Sequence, residues 1–116
     1  MIEYPKLKVA AAHAAPVFLD AAATVKKACS LISEAASAGA QLIAFPESFI
    51  PAFPVWAALQ APILGNALFG AFVANSLRID GPEIACLRAA ARRHGIVVSM
   101  GFSEGTEASV GCIWNS

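Results

Sequence analysis

Apolar and polar positions fall in blocks whose lengths suit strands and helices in turn. Lys6 to Ala14 (KLKVAAAHA) is short, apolar and followed by Pro16, which predicts a strand ending in a loop. Beyond Asp20, the apolar positions Val25, Ala28, Cys29, Ile32, Ala35 and Ala36 recur at helical spacing, while Lys27, Ser30, Glu34 and Ser37 face elsewhere. Asp20 is placed to cap this helix and Gly39 to stop it. Gln41 to Phe45 is an apolar run without alternation, the pattern of a strand buried on both faces. Pro46 ends that strand, so Glu47 emerges at its carboxyl end.

Ser48 to Leu77 contains no charged residue and is long enough in principle to cross a bilayer. Three prolines (Pro51, Pro54, Pro62), three polar amides (Gln60, Asn66, Asn75) and two glycines (Gly65, Gly70) break any uniform helix there. The expectation is a buried loop followed by a short helix from about Asn66, with no membrane span. Asp80, Gly81 and Pro82 then form a helix start, with Pro82 suited to the first position and Glu83 to the first turn. Ile84, Leu87 and Ala91 give that helix its buried stripe, Arg92, Arg93 and His94 crowd its last turn, and Gly95 closes it. Ile96 to Phe102 is again an apolar strand, and after a turn over Ser103 to Ser109 another begins at Val110 to Trp114. The βαβαβ order predicts an α/β fold, a sheet with helices packed on it.

Charge narrows the range of ligands. Eight Lys and Arg balance eight Asp and Glu, so the chain has no electrostatic footprint for nucleic acid or anionic lipid, and a small or neutral ligand is expected. Hydrophobic residues make up 58% of the chain against 14% charged, more apolar surface than a small independent globule would cover by itself. Cys29, Cys86 and Cys112 are widely spaced, odd in number and remote in sequence from His13 and His94. They predict neither a metal site nor a disulfide framework, and each reads as a small buried hydrophobe in a reducing compartment. The opening residues MIEYPKLK contain no apolar signal segment, which makes a cytoplasmic location the expectation. Both histidines read as structural.

The candidate chemistry centres on Glu47. Only Glu47 and Ser48 interrupt the apolar stretch from Leu42 to Leu59, so one carboxylate is carried into apolar surroundings. Lost hydration would favour its protonated form and make it a candidate general base. The competing reading is a capping or salt-bridged carboxylate at a strand end. Phe53 and Trp56 are candidates for the acyl side of a substrate pocket, against plain packing within a buried loop.

Residues Gly39 to Pro54 (GAQLIAFPESFIPAFP) resemble the catalytic-glutamate segment of the carbon-nitrogen hydrolase superfamily, and the extension through Ile50-Pro51 and Phe53-Pro54 resembles its nitrilase branch. The opening strand, the helix ending in Ala38-Gly39-Ala40, the Gly81-Pro82-Glu83 helix start and the strand Ile96 to Phe102 follow the same order, so the resemblance covers nearly all of the chain. It implies the amino-terminal part of a four-layer αββα sandwich and a Glu, Lys, Cys triad without metal or organic cofactor. Glu47 matches the triad's general base. In the nitrilase branch a thiolate attacks the nitrile carbon to form a thioimidate, and water then releases ammonia and a carboxylic acid.

In that superfamily the Lys and Cys follow the Glu. The lysines here, Lys6, Lys8, Lys26 and Lys27, all precede Glu47. Cys112-Ile113-Trp114 falls short of the family's Cys-Trp-Glu, because the Trp is displaced by one and no Glu follows, so Cys112 reads as a strand cysteine of the core. The expectation is a single partial domain over 1–116, truncated in or just after the fourth strand, with one triad member of three and no activity of its own. Three functions stand open: a nitrilase, an amidase or carbamoylase of the same superfamily acting on an amide-like bond, or a non-catalytic α/β binding domain. For the first two the complete protein would take a small nitrile or amide and form a homo-oligomer.

Overall fold

The computed structural model describes all 116 residues. Three short parallel strands form its centre: β1 (Val9–Ala11), β2 (Leu42–Ala44) and β3 (Val97–Ser99), in the order β1-β2-β3. Ala10, Ile43 and Val98 are aligned across the sheet, as are Ala11, Ala44 and Ser99. Each strand is shorter than its apolar run predicts, because the run continues into loop backbone that leaves the ladder.

Two helices make the crossovers. Helix α1 (Ala21–Ser37) begins where the Asp20 carboxylate accepts from the Ala23 N–H at 2.9 Å, and Asn75 Oδ1 accepts the Ala21 N–H at 3.0 Å. Thr24, absent from the predicted stripe, is fully buried because its hydroxyl donates to the Asp20 carbonyl at 2.7 Å and accepts from Val17 N–H at 3.1 Å. At the other end Gly39 takes a left-handed turn with φ +85°. The carboxyl-terminal helix runs from Pro82 to His94, with Glu83 in its first turn and Gly95 left-handed at its end, as the sequence predicts. Its buried stripe is Ile84, Leu87 and Ala90; Ala91, predicted in that role, is only half-buried.

Between these helices the chain forms α2 (Trp56–Leu59) and α3 (Asn66–Asn75), so the Pro82–His94 helix is α4. The uncharged run from Ser48 to Leu77 therefore holds a four-residue helix that its sequence pattern did not signal, and the helix expected from Asn66. No helix is long and apolar enough to cross a membrane. Past β3, strand β4 (Ser103–Glu104) pairs antiparallel with β5 (Trp114–Asn115). The strand expected over Val110 to Trp114 begins only at Trp114, because Ser109 to Gly111 turn and Val110 is exposed.

The core lies on one side of the sheet. Ala28, Ile32 and Ala35 of α1 and Ile84, Leu87 and Ala90 of α4 pack with Ile43, while Ala10 and Val98 close the same cluster from the sheet edges. The opposite face carries Val9, Ala11, Leu42, Ala44, Val97 and Ser99, none of them buried. Strand β2 is thus covered on one face, where its unbroken apolar run predicted two. The result is a mixed α/β domain, a sheet with helices on one side.

Candidate active site

Glu47 sits where the central strand runs out. Phe45 extends the ladder by one step, its N–H donating to the Ser99 carbonyl at 2.8 Å. Pro46 has no N–H to continue the ladder, and the chain turns through Glu47, Ser48 and Phe49. The turn needs a left-handed residue, and Ser48 supplies it at φ +47° although it is not glycine. Ser48 is buried, and its hydroxyl lies 3.5 Å from that of Ser103, a buried partner that secures the conformation.

The turn is fastened at its far end too. Ile50 donates to the Gly101 carbonyl at 3.4 Å and accepts from the Ser103 N–H at 2.8 Å, a parallel bridge beside Phe102. Gly101 lies directly against the start of the turn: a Cβ there would collide with the Pro46 carbonyl oxygen and stand 2.8 Å from Glu47 Cα. The glycine is what lets two backbones pass this closely. Phe45 and Phe49 stack at 5.2 Å between centroids beneath the turn and tie it to the core.

The Glu47 side chain itself is exposed, where the apolar residues flanking it predicted an apolar surround. Sequence neighbours do not decide side-chain environment here: Phe49 and Ile50 turn inward to the core while the carboxylate points out. Its Oε1 accepts from Asn115 Nδ2 at 2.6 Å, and β5 brings that amide across by pairing Asn115 with Ser103. No cation pairs with Glu47, and it caps no helix, so the salt-bridge and capping readings find no partner. The arrangement leaves the second oxygen free to accept a proton from a group approaching from outside.

Phe53 and Trp56 lie further along the same loop. Phe53 is exposed. Trp56 is buried, packed edge-on against Phe72 at 6.0 Å between centroids, and its indole N–H has no hydrogen-bond partner. A cavity of about 280 Å³ beside it is lined by Trp56, Gln60, Gly65 and Phe69 and includes neither Glu47 nor Phe53.

The cysteines depart from expectation: Cys29 is half-buried, and Cys86 and Cys112 are exposed. Cys112 follows the Ser109 to Gly111 turn and precedes β5, outside any strand. Asn115, Gly101 and the Ser48–Ser103 pair are the site residues that the sequence reading missed. Gly101, a glycine inside an apolar strand pattern, was the one visible signal of a close backbone approach. Nothing local marks Asn115, which meets Glu47 only through strand pairing.

Comparison with known proteins places the chain in a family. The carbon-nitrogen hydrolase family model matches residues 8–116. The chain is 48% identical over 104 residues to an arylacetonitrilase of Hypocrea virens, covering 90% of this chain and 31% of that protein. It is 45% identical over 105 residues to an arylacetonitrilase of Aspergillus niger, with the same 90% and 31% coverage. It is 47% identical over 106 residues to an aliphatic nitrilase of Rhodococcus rhodochrous, covering 90% of this chain and 29% of that protein. The chain thus spans about a third or less of the length of the curated relatives it matches. A family model that matches this chain almost end to end establishes that the protein belongs to the carbon-nitrogen hydrolase family.

Proposed function

We propose that Glu47 is the general base of a nitrilase, and that residues 1–116 are the amino-terminal part of its single catalytic domain. The observation that carries the reading is the fixed turn. A carboxylate with one amide donor and one free oxygen stands at the carboxyl end of the central strand, held by Ser48, Gly101 and Ile50. Similarity to nitrilases with aryl-acetonitrile and aliphatic names supports the nitrile as substrate class.

In this reading Glu47 takes the proton of a cysteine thiol as its sulfur attacks the nitrile carbon, forming a thioimidate. Water then adds, ammonia leaves, and a second water releases the carboxylic acid. The thiol, and the lysine that steadies the developing charge, would come from residues outside these 116, because no Lys follows Lys27 and the side-chain partner of Glu47 is Asn115, not Cys112. Those residues would also enclose Glu47 and exclude water from it. Phe53 and Trp56 would flank the acyl group. The complete protein would be a cytoplasmic homo-oligomer.

The test is a chimera in which these residues replace the matching segment of the Hypocrea virens arylacetonitrilase. Ammonia release is followed on arylacetonitriles, aliphatic nitriles and the corresponding amides. The chimera is expected to hydrolyse nitriles in preference to amides, Glu47→Gln to lose about 10²–10⁴-fold in rate, and the 116-residue chain alone to release no ammonia. A folded Glu47→Gln chimera of undiminished rate would remove Glu47 from the mechanism. Preference for amides would move the substrate class to the amidase branch.

A further inference from the structure

Far from Glu47, on the outer side of the helical layer, α1 and α4 frame a groove of about 740 Å³. Cys29 of α1 and Cys86 of α4 face each other in it, with their sulfurs 3.8 Å apart. The side chains around them are Lys26, Ser30, Arg93 and His94, and no Asp or Glu lines the groove. The two thiols come from sites 57 residues apart in the chain, so only the packing of the helices brings them together. A close, solvent-reached thiol pair under cationic side chains has no part in the proposed hydrolysis.

We propose that this groove is a thiol–disulfide exchange site that takes small anionic disulfides of the glutathione type and ends with a Cys29–Cys86 bond. Cys86 is exposed and is the sulfur a dissolved disulfide reaches first. Its thiolate attacks one sulfur of RS–SR; an S–S bond to Cys86 forms, the RS–SR bond breaks, and one RSH leaves with a proton. Cys29 then attacks the Cys86 sulfur and expels the second RSH, so the protein loses two hydrogens and the disulfide becomes two thiols. Burial, followed by the hydrogen bond and the charge of Cys86, pushes the Cys29 thiol up from 9.0 to about 11, with Arg93 acting in the opposite direction. This divides the roles: Cys86 is the entering sulfur and Cys29 the resolving one. Lys26 and Arg93 attract the carboxylates of the incoming disulfide.

The test incubates the reduced protein with glutathione disulfide, then blocks free thiols and digests with trypsin. A cross-link between peptides 28–78 and 79–88, two hydrogens lighter than their sum, is the expected product, and Cys112→Ser leaves it in place. Cystamine, a cationic disulfide, is expected to react several-fold more slowly, and Lys26→Gln with Arg93→Gln to erase that preference. Cys86→Ser should leave Cys29 unmodified. Glutathione retained on Cys86 with Cys29 still reduced would overturn the exchange site. Equal rates for the two disulfides would overturn its preference for anions.

Discussion

The two faces of the β1-β2-β3 sheet divide nine strand residues between them and meet opposite fates. Ala10, Ile43 and Val98 lie under α1 and α4 and belong to one apolar cluster. Val9, Leu42 and Val97, one position away on the same strands, are outside that cluster and not buried, and Val9 and Val97 are about 62% and 61% exposed. The pleat sends neighbours to opposite sides, so composition is shared and energetics are not. The covered face holds the domain together. The bare face is an apolar surface without a cover, of the kind that drives association.

Substitutions on the two faces should separate these roles. Ile32→Ala, at a fully buried α1 position against the covered face, should cost about 2–5 kcal/mol through lost transfer energy and the cavity left behind. Urea unfolding measures this, and a cost under about 1 kcal/mol would show that α1 does not close the core. Gly101→Ala, at the sheet's end between the faces, should cost about 1–3 kcal/mol, because the added methyl displaces Pro46 and Glu47. In the active chimera the same change should lower the rate by more than that stability loss explains, since it moves the base itself. Val97→Lys, on the bare face, should alter stability within about 0.5 kcal/mol and reduce self-association, read by light scattering. A large loss of stability there would mean that the bare face is already covered in solution.

The Glu47 turn shows how far sequence carried the site. The residues from Phe45 to Ser48 located the carboxylate at the strand's carboxyl end, because a proline after an apolar run leaves the chain no other choice but to quit the ladder. The same run misled about its surroundings: Phe49 and Ile50 are apolar because they enter the core, and the intervening carboxylate faces out. The Cys29 and Cys86 positions taught the same lesson in reverse. Each reads alone as a buried hydrophobe, while the helix packing sets their sulfurs side by side in an open groove.

By itself the sequence determined the order of β1, α1, β2, α3, α4 and β3, the caps at Asp20, Gly39, Pro82 and Gly95, and the family, since these rest on local rules of backbone preference, periodicity and a contiguous motif. Helix α2 and the strand β4 inside the expected Ser103 to Ser109 turn escaped those rules. Which face of the sheet is covered, the amide that reaches Glu47, and the meeting of the two thiols were decided only in three dimensions. Each depends on residues tens of positions apart, whose encounter is set by strand register and helix packing and leaves no mark on the local pattern.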